Sequence, residues 1–183
     1  MVVSGLPRSG TSMVMQMLSS GGLEILKDDK RKADADNPKG YFEYSKVKTL
    51  AENNSWLREA LGKGLKVVSP LLSYLPSDYQ YRLIFVERDL DQILASQAEM
   101  IKRQGIRKTI ADPKIKTAFG KHLKEIKDWL KKQKNFKTLF ISYQKTIDSP
   151  VSIAKKISLF LKRKLDLEKM TLTVNPSLYR QRS

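Results

Sequence analysis

The first dozen residues constrain the fold of this chain more than any other stretch. Val2-Val3-Ser4 is a short run rich in β-branched side chains, and Gly5 to Gly10 is a glycine-bracketed turn. From Thr11 onward, apolar residues recur at helical spacing. This order predicts a strand, a loop and a helix, with backbone N–H groups at the helix N-terminus available to an anion.

The loop nearly matches a Walker A sequence, in which successive N–H groups and the helix dipole hold phosphates. Thr11 stands where a nucleotide-hydrolysing loop has its lysine, and the only cation of the loop is Arg8. The sequence therefore keeps the phosphate cradle and lacks the Walker lysine.

Length and composition narrow the possible chemistry. A chain of 183 residues fits one domain, over residues 1–183, with a sizeable buried core. It has no cysteine and one histidine, His122, which excludes disulfides, cysteine-zinc sites, thiol nucleophiles and multi-histidine metal sites. We therefore expect no metal centre.

Charge and hydropathy bear on partners and location. The formal net charge of +16 favours anionic ligands, but charge alone does not predict a specific nucleic-acid site. No apolar run approaches membrane-spanning length, and no signal-like segment precedes the first strand. The sequence thus predicts a cytoplasmic protein without a membrane span and leaves its oligomeric state open.

Strand and helix patterns alternate along the chain. Strands are predicted at 65–69, 81–87 and 137–142. Helices are predicted at 47–61 with a break at Asn53-Asn54, at 71–75, from Leu90 to about Gly105, at 113–134 and at 151–162, and an irregular tail from Asp166. Such alternation predicts an α/β fold: a three-layer parallel sheet with helices on both faces and a P-loop nucleotide-binding core. The ligand site of such a fold lies at the carboxyl ends of the strands.

The segment Leu6 to Ser12 resembles the 5'-phosphosulfate loop of the sulfotransferases, which use 3'-phosphoadenosine 5'-phosphosulfate (PAPS). The loop is similar to the arginine-bearing form found in tyrosylprotein sulfotransferases and in small bacterial members. The resemblance implies that the loop binds the donor through six successive residues, namely Pro7, Arg8, Ser9, Gly10, Thr11 and Ser12.

A second resemblance lies at 88–96. In this family, an arginine at a strand end and a serine eight residues later hold the 3'-phosphate of PAPS, and Arg88 and Ser96 match both residue types and the spacing. Tyr143, at a later strand end, is a candidate for donor contact or simply a packed aromatic residue. Arg180 either closes over the donor or belongs to an unstructured basic terminus.

Sulfuryl transfer requires a base for the acceptor and positive charge at the bridging oxygen. The resemblance implies Glu43 as the base, although a solvated glutamate fits the sequence as well. We assign the leaving-oxygen cation to Arg8, with Lys66 as a second candidate whose head otherwise extends to water. His122, midway along a lysine-rich helix, is expected to be surface-exposed rather than a base.

The resemblance implies transfer of a sulfuryl group from PAPS to a hydroxyl or amine, releasing 3'-phosphoadenosine 5'-phosphate (PAP). The acceptor class stays open among small molecules, glycans and peptides. Two alternatives also stay open: a magnesium-dependent P-loop kinase or hydrolase, and a non-catalytic module that binds PAPS or PAP.

Overall fold

Four parallel strands form the centre of the protein in a computed structural model, which describes residues 1–34, 37–103, 105 and 113–175. The strands are β1 (Val2–Ser4), β2 (Leu65–Lys66), β3 (Tyr81–Glu87) and β4 (Phe136–Ser142). Their order in the sheet is β2-β1-β3-β4. Val3 pairs with Lys66 on one side and with Ile84 on the other, so β1 lies inside the sheet.

Helices connect and flank these strands. The α-helices are α1 (Thr11–Ser20), α2 (Leu90–Arg103), α3 (Pro113–Lys132), α4 (Tyr143–Asp148), α5 (Pro150–Leu161) and α6 (Leu167–Leu172). Three shorter 3-10 helices cover Ser45–Thr49, Ser55–Ala60 and Ser69–Tyr74. In the described part of the chain, no helix is both long and apolar enough to span a bilayer.

The core has two halves, one on each face of the sheet. Val3, Ile84 and Val86 pack in one cluster with α1, α5 and α6. Val2, Leu83 and Phe85 pack in the other with α3 and the 3-10 helices. Neighbouring strand residues point to opposite faces, so a buried strand supplies both halves. The predicted three-layer α/β fold is confirmed.

Several local predictions were wrong. The helix predicted at 47–61 is two 3-10 helices rather than an α-helix, although they are separated at the predicted break, Asn53-Asn54. The strand predicted at 65–69 has only two residues. The tail from Asp166 is not irregular, because α6 forms there. The Asp166 carboxylate accepts a hydrogen bond from the Lys169 N–H, which caps the helix, and Met170 is fully buried against α1.

The strand order determines where a ligand can bind. From β1 the chain moves to β2 on one side and then crosses to β3 on the other. The loops after β1 and β3 therefore separate at the carboxyl edge and leave a crevice between them. Residues 5–10 and Arg88 emerge at this edge.

Candidate active site

A cleft of about 670 Å³ opens at the carboxyl edge of the sheet. Its lining includes residues from the loop after β1, the end of β2, the C-terminal half of α2 and the segments 28–31 and 37–48. Two sides can be distinguished. The loop side is formed by Pro7, Arg8 and residues 10–12 together with Arg88, Ser96 and Tyr143. The carboxylate side is formed by Lys66 and by residues from the segments 28–31 and 37–44.

The loop between β1 and α1 has the backbone of an anion cradle. Arg8 has φ 69° and Gly10, the residue before α1, has φ 98°, both in the left-handed region. The Gly10 carbonyl accepts hydrogen bonds from the backbone N–H groups of Met13 and Val14, and these are the first backbone hydrogen bonds of α1. The N–H groups of Thr11 and Ser12 belong to the first turn of α1, where no intrahelical acceptor exists, and they are available to a ligand.

Tyr143 supports this loop from beneath. An added Cβ on Gly10 would lie 2.7 Å from Cε2 of the Tyr143 ring, so only glycine fits there. The Arg88 guanidinium lies over the same ring, 4.3 Å from its centroid. The aromatic ring thus contacts the loop backbone and carries the cation expected to bind phosphate.

Two arginines meet on the loop side. Nη1 of Arg88 donates to the Arg8 carbonyl at 3.0 Å, and Nε of Arg88 donates to Oε1 of Gln92 at 3.2 Å. Nε of Arg8 donates to the Ser96 hydroxyl at 3.1 Å. Arg8, Arg88 and Ser96, which are far apart in sequence, therefore lie together.

Lys66 connects the two sides of the cleft. Its Nζ donates to the Ser12 hydroxyl at 3.1 Å, to the Tyr41 carbonyl at 3.0 Å and to Oε1 of Glu43 at 3.3 Å. Only 8% of the side chain is exposed. Burial lowers the pKa of Lys66, and the Glu43 carboxylate opposes that shift. The ammonium group is held in the cleft beside the anion loop and does not extend to bulk water.

Glu43 is paired with two cations. Its Oε1 accepts from Lys66 and also from Nη1 of Arg31 at 2.9 Å, while 27% of its side chain stays exposed. The Arg31 guanidinium lies 3.5 Å from the centroid of the Tyr41 ring. The carboxylate is thus fixed in direction and still open to the cleft.

Most of the predicted site residues line one cleft, namely Pro7, Arg8, Gly10, Thr11, Ser12, Glu43, Lys66, Arg88, Ser96 and Tyr143. Ser9 does not line it. Its side chain is buried, and its hydroxyl has no hydrogen-bond partner among the described residues. Arg180 lies outside the described residues.

Two features of this region carry no signal in the sequence. Arg31 has no motif around it, and only folding brings it to Glu43. His122 was expected on the surface, but it is half-buried, and its Nε2 lies 2.9 Å from the hydroxyl of the buried Ser69. The Ser69 N–H in turn donates to the Gly5 carbonyl at 3.0 Å. No sequence pattern signalled this pair.

The acidic and imidazole side chains of the described residues do not gather into a metal-binding group. Residues 1–34, 37–103, 105 and 113–175 contain no cluster of three or more His, Cys, Asp or Glu side chains suited to a metal ion. The cations of the cleft are all arginine and lysine.

The fold and the cleft define an α/β protein with an anion loop between its first strand and first helix. The family model described as the sulfotransferase domain matches residues 1–181, and the chain therefore belongs to the sulfotransferase family. Members of this family transfer sulfuryl groups and typically use PAPS. No curated protein matches the chain.

Proposed function

We propose that residues 1–183 form one sulfotransferase domain that transfers a sulfuryl group from PAPS to a hydroxyl or amine acceptor. The observation that carries this proposal is the position of Lys66. Its Nζ lies 3.1 Å from the Ser12 hydroxyl of the anion loop and 3.3 Å from the Glu43 carboxylate. A phosphate cradle, a buried cation and a carboxylate therefore converge in one cleft.

The cleft offers two separate anion sites, which suit a donor with phosphates at both ends of its ribose. We assign the 5'-phosphosulfate to the N–H groups of residues 10–12, at the start of α1. We assign the 3'-phosphate to Arg88 and Ser96. A forked guanidinium and a hydroxyl can bind one phosphate together, and Arg88 is already oriented by Tyr143.

On the other side of the cleft, we assign Glu43 to accept the proton of the acceptor. When bound, PAPS supplies the sulfuryl group: a bond forms from the acceptor atom to sulfur, and the bond from sulfur to the bridging oxygen breaks, leaving PAP. Lys66 and Arg8 offset the negative charge that develops on that oxygen. An anion beside Lys66 also raises the pKa that burial lowers, so donor binding favours its charged form.

A thermal-unfolding comparison with PAP, AMP, and ATP plus magnesium tests the donor. Ligand at ~100 times its dissociation constant adds about 2.7 kcal/mol of stability. We expect PAP to stabilise the protein without magnesium and AMP to do so far less, because AMP lacks the 3'-phosphate. Stabilisation by ATP only with magnesium would instead indicate a kinase or hydrolase.

The variant Arg88→Ala tests the assignment of the 3'-phosphate. Losing a charge-assisted bond of about 1.5–3 kcal/mol should weaken PAP binding roughly ten- to hundredfold. AMP binding should change little, and the exposed Arg58→Ala is the matched control. Equal losses for PAP and AMP would contradict the assignment.

A further inference from the structure

The outward face of α5 alternates apolar and basic side chains. Val151, Lys155, Leu159 and Lys162 follow one another at spacings of three or four residues, so they lie along one side of the helix. Leu159 is 81% exposed and Val151 is 49% exposed. We call these four residues, together with Arg163, the α5 patch.

The surroundings of the α5 patch are uniformly basic. No acidic residue occurs from Ser149 to Leu165, and all five basic residues there are exposed, namely Lys155, Lys156, Lys162, Arg163 and Lys164. A shallow hollow beside Leu159 is lined by three of these cations together with Ser158 and Leu167. The α5 patch therefore combines a protruding apolar side chain with a concentrated positive charge.

Lys162 keeps its side chain at a position that favours glycine. It ends α5 with φ 54° and ψ 42°, the left-handed conformation that glycine adopts without strain. A side chain at such a position costs about 1 kcal/mol. The protein thus bears a small backbone strain while keeping a cation at the end of the α5 patch.

The C-terminal end of the α5 patch, from Leu159 to Arg163, lies near the amino edge of the sheet, opposite the cleft. Nη1 of Arg82, near the amino end of β3, donates to the Phe160 carbonyl of α5. Arg88, at the other end of β3, faces the cleft. A strand of this length separates the two ends by roughly 20 Å. A surface that covers this end of the α5 patch would therefore leave the cleft open.

We propose that the α5 patch binds an anionic phospholipid surface. Apolar side chains interleaved with lysines suit the membrane interface, where the apolar groups insert and the ammonium groups reach lipid phosphates. A dissolved polyanion such as a nucleic acid would contact only the basic side chains of the α5 patch. Leu159 is thus the residue that distinguishes a lipid surface from a nucleic acid.

Sedimentation with phosphatidylcholine vesicles, with and without phosphatidylserine, tests this proposal. The protein should bind only the vesicles that contain phosphatidylserine. Leu159→Ser should lower the partition constant about tenfold through lost apolar insertion. Lys162→Gln should lower it about fivefold, the contribution of one basic residue near an anionic membrane.

Two further variants test whether a loss of vesicle binding comes from the α5 patch itself, from a lower net charge or from impaired folding. Lys124→Gln removes one charge from the exposed surface of α3, across the sheet, and should change binding little. Lys162→Gly should weaken vesicle binding as Lys162→Gln does, yet raise the unfolding midpoint because it relieves the left-handed strain.

Three results would overturn the proposal. One is an absence of binding to vesicles that contain phosphatidylserine. The second is an effect of Lys124→Gln as large as that of Lys162→Gln. The third is binding to poly(uridylic acid) in place of vesicles, unaffected by Leu159→Ser.

Discussion

The two sides of the cleft are built from different interactions. The loop side is held by close packing, with the Gly10 backbone against the Tyr143 ring and Arg88 over that ring. The carboxylate side is held by charge, with Glu43 between Arg31 and Lys66. Backbone geometry and packing therefore hold the loop side in place, and electrostatic attraction holds the carboxylate side. A change of backbone shape should damage the first, and a change of charge should damage the second.

The largest expected effect is on the carboxylate side. Glu43→Gln preserves shape and removes the proton acceptor, so sulfuryl transfer should fall by about 10²–10⁴-fold. PAP binding should persist, because the loop side is unchanged. Glu59→Gln is a matched control, since Glu59 pairs with Lys46 outside the cleft. Unchanged turnover in Glu43→Gln would remove Glu43 as the base.

A backbone change should damage the loop side. Gly10→Ala places a Cβ against Tyr143 in a left-handed conformation, and we expect a loss of about 2–4 kcal/mol in unfolding free energy together with loss of PAP binding. Gly40→Ala is the control, because Gly40 has φ 86° and open space around it. It should cost only about 1–2 kcal/mol. Equal losses of unfolding free energy in the two variants would show that the contact between Gly10 and Tyr143 does not contribute to stability.

The smallest expected effect concerns the pair between His122 and Ser69, which lies near the loop but outside the cleft. Burial lowers the pKa of His122 below its ordinary 6.5, although Glu125 opposes the shift. The unfolded chain then binds the proton more readily, so stability should fall as pH drops through 6.5. His122→Gln should abolish this dependence in urea titrations at several pH values. A dependence that persists in the variant would assign it to other groups.

The sequence predicted best what depends on local pattern. β3 was predicted at its observed bounds, and α3 and α5 to within two residues, because each has a sustained apolar period. The residues 45–60 form 3-10 turns that no period distinguishes from an α-helix. α6 was missed because it is short and has few buried side chains, and part of its packing is against α1, far away in sequence.

The distinction between local sequence pattern and tertiary contact also applies to the candidate site. The loop after β1 could be predicted because its residues are adjacent in sequence. Arg88 and Ser96 could be predicted because they stand at a fixed spacing. Arg31 joins Glu43, and Tyr143 supports Gly10, only through the tertiary fold. Such contacts leave no trace in local order, so the sequence could indicate a phosphate site without showing how it is supported.

The contact between Gly10 and Tyr143 also bears on how the protein is made. The loop is synthesised before its support, because Tyr143 follows Gly10 by 133 residues, directly after β4. A nascent chain that ends before Tyr143 contains Gly10 and Arg88 but lacks the ring that both of them contact. The loop side of the cleft is therefore completed only after all four strands of the sheet have been synthesised.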